Sequence, residues 1–350
     1  MRARRDSVRR DGVNLRVTAR SLVDWLTSAA KLDAPIDVQS PFLRGAGGSA
    51  HAETIEILRQ LDRALVQLEG SASATVTLSP AIRAIKRSRS RLQRPLRLAI
   101  AGEFNTGKSS LANLLVRVES LPTAIVSCTR IPTLLYYARE PQVWAVHRDR
   151  RRELLRVNRA VSEQSIFCLE VGLPSSRLHA MQILDLPGFA DPRSCLSPHD
   201  LVLHNVDAVA WCTLGTQAWK ETERSAWNQL PARLRGRGLL VVTHCDLLRR
   251  ESDKERLLAR LRSEAGLSFD TIVSLSTTEA LALVHEGRVG PARLAWEACG
   301  AEALDAALDQ LLLGVRKHRN QAALQVLGRI AQHALARLDG WDAPVASIAR

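Results

Sequence analysis

The stretch Gly102-Glu103-Phe104-Asn105-Thr106-Gly107-Lys108-Ser109 sets two glycines, a lysine and a hydroxyl in the frame G-x-x-x-x-G-K-S. Glycines at those two places let a loop wrap closely around an anion. Its backbone N–H groups then converge at the start of the next helix, where the helix dipole adds to them. A lysine there can reach the outer phosphates of a polyphosphate, and the Ser109 hydroxyl can ligate Mg²⁺. The flanks suit this chemistry. Arg97–Ala101 reads as a strand running in, and Ser110–Leu115 as a helix running out. Chance produces this frame on the order of once in 500 chains of such length.

Two further segments fall at the ends of expected strands. Asp185-Leu186-Pro187-Gly188 follows the apolar run Met181–Leu184. A carboxylate there can hold Mg²⁺, and the Gly188 amide can sense a terminal phosphate. Thr243-His244-Cys245-Asp246 follows Leu239–Val242. The Asp246 carboxylate can accept the N1–H and N2–H₂ donors that guanine has and adenine lacks; the plainer role of an Asp at such a place is to cap a helix.

Together these residues resemble the dynamin family. Gly102–Asn113 is similar to the phosphate loop of bacterial dynamin-like proteins, and Leu121–Thr129 (L-P-T-A-I-V-S-C-T) to their switch I. The resemblance implies a P-loop GTPase that binds GTP or GDP with Mg²⁺. It implies nucleotide contacts from Gly102, Glu103, Phe104, Asn105, Thr106, Gly107, Lys108, Ser109, Ser110, Asp185, Gly188, Thr243, His244, Asp246 and Ser276. Ser109, Thr129 and Asp185 would arrange the Mg²⁺. Lys108, Thr129 and Asn105 would carry catalysis, Asn105 by resembling the K⁺-binding asparagine of cation-dependent GTPases. His244 stands where the family has a lysine over the base. Phe189, directly after Gly188, stands where Ras-type enzymes carry a water-orienting glutamine. Arg130 is a further candidate for catalysis, with a solvated switch residue as its plainer reading. Dynamin-type G domains pair across the nucleotide face, so a homodimer through the G domain is expected.

These segments need a scaffold. Over about 95–290, short apolar runs alternate with amphipathic stretches. The runs are Leu96–Ala101, Thr133–Tyr137, Met181–Leu184, Ala208–Cys212, Leu239–Val242 and Ile272–Leu275. Helical patterns lie at Ser109–Val116, Glu221–Gln229 and Ser252–Glu264. Such alternation predicts an α/β fold, a mainly parallel sheet with helices on both faces. Apolar stripes at Leu58, Leu61, Leu65, Leu68, at Ile82, Ile85, Leu92, at 304–315 and at 324–338 predict a helical bundle built from both chain ends. The expected division is 1–50 as basic arm and linker, 51–94 as N-terminal helices, 95–295 as a dynamin-type G domain, and 296–350 as C-terminal helices packing on the N-terminal ones. The flanks suffice for a neck-like bundle but not for a full stalk, so filament assembly and membrane remodelling are not implied.

Composition narrows the class. The chain has 350 residues, 46% hydrophobic and 24% charged, with a net charge of +13. That excludes wholesale disorder and collagen-like structure. No apolar run approaches the roughly 20 residues that span a bilayer, and no secretory signal follows the basic start. A cytoplasmic protein is expected, with a peripheral membrane surface or an acidic partner open to it through its positive charge. Nucleic acid is the weaker partner, because aromatics are only 4%. The six cysteines show no metal spacing and read as small core residues. Two alternatives stand beside the leading reading: an Era-like GTPase that binds RNA or the ribosome, and a nucleotide-binding scaffold with little turnover.

Overall fold

The structure is a computed structural model and describes residues 48–70, 79–117, 131–155, 165–189, 203, 205–248, 250–287 and 293–338. Of the arm and linker expected over 1–50, residues 1–47 lie outside the described residues and 48–50 belong instead to the first helix; the switch I stretch 121–129 and Arg130 also lie outside the described residues.

Nine strands form one mixed sheet in the order β4-β3-β5-β2-β6-β1-β7-β8-β9. They are β1 (Leu96–Gly102), β2 (Thr133–Tyr137), β3 (Gln142–His147), β4 (Arg152–Leu154), β5 (Ile166–Leu173), β6 (Met181–Asp185), β7 (Ala208–Leu214), β8 (Gly238–Thr243) and β9 (Thr271–Ser274). The half that carries the sequence motifs, β6-β1-β7-β8-β9, is parallel throughout. Strands β1, β6, β7 and β8 are buried on both faces, while β9 at the edge is largely half-buried. They read as continuous apolar runs, which is the pattern of a sheet covered on both sides. The other half is mixed: β2 runs antiparallel to β6, and β3 pairs antiparallel with both β4 and β5.

The helices are α1 (Gly48–Gly70), α2 (Ser79–Gln93), α3 (Lys108–Val116), α4 (Glu221–Gln229), α5 (Ala232–Arg235), α6 (Glu251–Ala265), α7 (Thr277–His285), α8 (Arg293–Ala298) and α9 (Ala301–Leu338). One face of the sheet packs Leu98, Ile100, Leu239 and Val241 against Leu111 and Leu115 of α3, Ala280 of α7 and Leu304, Leu308 and Leu311 of α9. The other face packs Ala99, Trp211, Leu240 and Val242 against Trp227 of α4, Leu234 of α5 and Leu261 of α6.

The terminal segments meet as expected, with one correction. The stripes at 304–315 and 324–338 belong to a single 38-residue helix, α9. Its first half covers the sheet rather than joining the bundle. Its second half, with Ala323, Val326, Leu327 and Ile330, packs on Ile57 and Leu61 of α1 and Ile85 of α2. The buried stripe of α1 accordingly starts at Ile57, while Leu58 is only half-buried. Arg319 locks the junction. Its guanidinium donates to the Arg91, Arg94 and Pro95 carbonyl oxygens and to the buried Asp207 carboxylate. Asp207 also accepts from the Arg97 backbone N–H, so α9, the α2–β1 connection and the start of β7 share one ion pair. Burial weakens proton binding by Arg319 and takes its pKa down to about 10, although Asp207 pulls the other way. No described helix is long and apolar enough to cross a membrane.

Candidate nucleotide site

β1 ends at Gly102 with φ +144°, a conformation that L side chains rarely adopt. A Cβ there would also lie 2.3 Å from the Cys212 carbonyl oxygen of β7. Only glycine lets the loop leave the sheet here. Asn105 (φ 61°) and Gly107 (φ 77°) turn the chain left-handed and deliver it to the first turn of α3. The Thr106 hydroxyl closes the loop on the Glu103 carbonyl oxygen at 2.8 Å. Thr243 of β8 secures it from the side, donating to the Thr106 carbonyl oxygen at 2.9 Å.

Lys108 is buried inside this loop, and its ammonium donates to the Glu103 carbonyl oxygen at 2.6 Å. Burial holds its pKa below the ordinary lysine value, against the pull of the Cys212, Asp185 and Glu103 charges. The next residue, Ser109, donates to Asp185 Oδ2 at 3.0 Å. Asp185 ends β6 and is buried, and its other oxygen, Oδ1, has no hydrogen-bond partner among the described residues. A hydroxyl and a carboxylate with one unengaged oxygen make a hard-oxygen donor set suited to Mg²⁺, which keeps several waters and takes few protein ligands.

Asp185 carries a testable cost. Burial pushes its carboxyl up to about 6, although Lys108 and the Ser109 hydroxyl favour the charged form. A carboxyl whose folded pKa lies above its unfolded value of 3.8 destabilises the fold as pH rises between the two. Without nucleotide or Mg²⁺, Asp185→Asn is therefore expected to raise stability by ~1–3 kcal/mol at pH 7 and to change it little at pH 4. Denaturant unfolding at both pH values checks this. Equal stabilities at pH 7 would mean that the carboxylate is not desolvated.

The segment after Asp185 runs beside the loop. The Leu186 N–H donates to the Ile100 carbonyl oxygen, and the Phe189 N–H to that of Gly102 at 3.0 Å. A Cβ on Gly188 would stand 2.9 Å from the Phe104 nitrogen, so this glycine is needed for close approach. The Phe189 ring turns inward and stacks on Trp211, with centroids 5.2 Å apart. Phe104 is exposed on the loop's outer side.

At the far end of the loop, His244 adopts φ 56° and its Cε1 would lie 3.3 Å from a Cβ on Gly107. The imidazole thus lies on the phosphate loop, with Nδ1 3.1 Å from the Thr243 hydroxyl oxygen. Asp246 is exposed and receives a long contact from the Ser276 hydroxyl at 3.5 Å. The Cys245 N–H, bonded to the Leu275 carbonyl oxygen, joins the two loops. Gly102–Ser110, Asp185, Gly188, Thr243, His244, Asp246 and Ser276 therefore surround one end of the parallel half-sheet. Thr129 lies outside the described residues. Lys220 and Thr222, at the start of α4, hold the Glu103 carboxylate and have no signature in the sequence. The ordering of α4 around the buried Glu223, which accepts from the Thr213 hydroxyl and the Lys220 N–H, is what brings them there.

Residues 98–245 match the model of the dynamin family. Dynamin-like protein 2 of Campylobacter jejuni subsp. jejuni serotype O:23/36 (strain 81-176) is 28% identical over 206 residues, which cover 54% of this chain and 32% of that protein. The isoniazid-induced protein IniC of Mycobacterium tuberculosis is 36% identical over 107 residues, covering 28% of this chain and 22% of that protein. The chain thus spans no more than a third of the length of these relatives. A solved structure of an oligomerised bacterial dynamin pair superposes with a TM-score of 0.51 at 17% identity, over 88% of this chain and 46% of that one. Residues 98–245, which hold the strand–loop–helix and much of the sheet it leaves, are thus similar to the dynamin family.

Proposed function

We propose that the chain binds GTP and GDP with Mg²⁺ at the loop 102–110 and hydrolyses GTP as a switch, most actively when two copies pair across the nucleotide face. The observation that carries this reading is the Lys108–Ser109–Asp185 group at one end of the loop, with His244, Asp246 and Ser276 at the other. That spacing suits phosphates at one end and a base at the other. The reading keeps 95–295 as the G domain, and 51–94 with 296–350 as the helical segments beside it. It places Thr129 as the switch threonine and Asn105, whose amide is exposed, as the contact for a monovalent cation such as K⁺.

In hydrolysis, water attacks the γ-phosphorus in line and the bond to the β–γ bridging oxygen breaks. Lys108 would leave the Glu103 carbonyl for the β- and γ-phosphate oxygens and, with the loop N–H groups, offset their growing charge. Ser109 and Asp185 would hold the Mg²⁺, Asp185 ionised once the ion is present. Mg²⁺ held there would supply Lewis-acid stabilisation of the phosphate charge. Gly188 offers a backbone N–H beside Phe104.

The oligomerised bacterial dynamin pair is described as sensing and tethering membranes. Self-association, and a peripheral membrane surface for a chain of net charge +13, are carried to this protein as proposals on that likeness. The family match falls to dynamin and so favours this reading over an Era-like, RNA-binding one. A scaffold with little turnover remains a second reading, favoured by the inward stack of Phe189 on Trp211.

Competition between GTP and ATP tests base selection. A site that hydrogen-bonds donors peculiar to one base rejects the analogue that lacks them, and here a preference for GTP of at least ~100-fold is expected. Asp246→Ala should remove most of it. Equal affinities in the unaltered protein would sink the guanine reading.

A further inference from the structure

The nucleotide site occupies the carboxyl ends of the parallel strands. At their other end, about 17–20 Å away along β8, the first half of α9 crosses the starts of β8 and β9 and leaves a cleft of about 480 Å³. The loop and strand side gives Gly236, Arg237, Asp270 and Thr271; the α9 side gives Gly314, Lys317, His318 and Gln321. The α9 residues fall on one helical face.

Two cations, Arg237 and Lys317, line the cleft beside the His318 imidazole and the apolar Leu239, Ala307, Leu311 and Val315. Arg237, Lys317 and His318 form no ion pair among the described residues, and Asp270 is the one carboxylate in the lining. Arg91 adds to the positive field. Burial, followed by Arg91, holds the Arg237 guanidinium below its ordinary pKa, while Asp207 and Asp270 pull the other way. Burial, then Arg237 and Arg91, does the same to His318. Elsewhere on this junction positive charge is answered: Arg319 and Arg94 share the buried Asp207.

The space is also kept open by residue choice. Gly314 lies inside a 38-residue helix, where glycine is worse than alanine by ~1 kcal/mol. A Cβ at Gly314 or at Gly236 would meet nothing within 4 Å. Sterics do not demand either glycine, and a larger side chain at 314 would grow into the cleft.

We infer that this cleft is a second anion site, in which Arg237 and Lys317 bind a small phosphate ester across the gap between α9 and the start of β8. A guanidinium and an ammonium lining one cleft are the pairing that phosphate oxygens take. His318 and the Thr271 and Gln321 side chains line the same space and suit the ester's remaining oxygens, and Asp270 suits a hydroxyl on it. The occupant is a phosphate group either free in solution or on a lipid headgroup. This site does not depend on the identity of the nucleotide at the phosphate loop.

The experiment uses the full chain in the Lys108→Ala background, so that polyphosphate capture at the loop 102–110 does not intrude. Pyrophosphate is titrated calorimetrically, and in a second arm the protein is sedimented with phosphatidylcholine vesicles containing or lacking phosphatidylinositol 4-phosphate. Binding in either arm is expected to weaken at least 10-fold in Arg237→Gln/Lys317→Gln. It should weaken likewise in Gly314→Leu, which keeps every charge and favours the helix. Unfolding midpoints confirm that both variants are folded. Binding in the solution arm names a free phosphate compound, and binding only to phosphoinositide vesicles names the headgroup. Absence of binding in both arms, or binding that neither variant alters, overturns the inference. Loss of GTP binding in Lys108→Ala, with the pyrophosphate result intact, separates this site from the nucleotide site.

Discussion

Lys108→Ala is expected to weaken GTP and GDP binding by ~10²–10⁴-fold and leave the fold in place. The magnitude follows from charge-assisted hydrogen bonds to two phosphate groups, each worth ~1.5–3 kcal/mol. The fold should survive because the Lys108 ammonium makes one hydrogen bond among the described residues, to a loop carbonyl oxygen, and is held below its ordinary pKa by burial. Removing it relieves a desolvated charge, while the apolar packing of α3 through Leu111, Leu114 and Leu115 is untouched. Fluorescent-nucleotide titration gives the affinity, and thermal unfolding the integrity. An intact variant with unaltered affinity would mean that nucleotide, if bound, is held elsewhere. Ser109→Ala should act differently, with a loss that depends on Mg²⁺ concentration, since its hydroxyl lies on Asp185.

The legible parts of the molecule are those where local rules and the fold agree. Strands β1, β2, β6, β7 and β8 appear as apolar runs because both of their faces are largely covered, and β9 at the edge keeps only Ile272 and Val273 as its apolar signal. The phosphate loop is legible because left-handed turns and close backbone approach leave few choices at Gly102 and Gly107. Strand β5 goes unread although it is internal, largely apolar and buried, and β3 and β4 stay hidden. Gln142–His147 alternates half-buried and buried residues at a sheet flank, and Arg152–Leu154 is a short edge strand rich in charge. Such edges carry polar residues that resemble loop. The two stripes of α9 do not declare themselves one helix, because its buried face changes partner from sheet to bundle along its length. Lys220 and Thr222 illustrate the same limit at the site. They reach Glu103 from more than 100 residues away, through packing that no local spacing encodes.

Hydrolysis by a lone protomer is expected to be nearly silent, and specific turnover should rise with protein concentration. The reason lies in where the aromatic rings point. Phe189, after Gly188, stacks on the buried Trp211, whose edge meets Trp219 and Trp227. Turning that ring outward would open the apolar cluster, and a phenyl ring has no group to orient water. Phe104 lies exposed on the loop's outer side, and Leu247, beside Asp246, is exposed as well. Two apolar side chains flanking the proposed nucleotide face suit contact with a second copy better than with water. Pairing would exclude solvent from the γ-phosphate and strengthen each electrostatic contact to it. In related phosphoryl-transfer enzymes, a supplied charge-stabilising element is worth ~10³–10⁵ in rate, so the paired and unpaired states should differ widely. The measurement is specific turnover against protein concentration, in K⁺ and in Na⁺, with Asn105→Ala as the test of the cation. Phe104→Ser should lower the concentration-dependent part and spare GDP affinity, because in the proposed binding mode the phosphates would face the loop's backbone and Lys108 rather than the exposed ring. Rapid turnover that is independent of concentration and of cation would place a complete active site within one protomer, and pairing would then have no catalytic part to play.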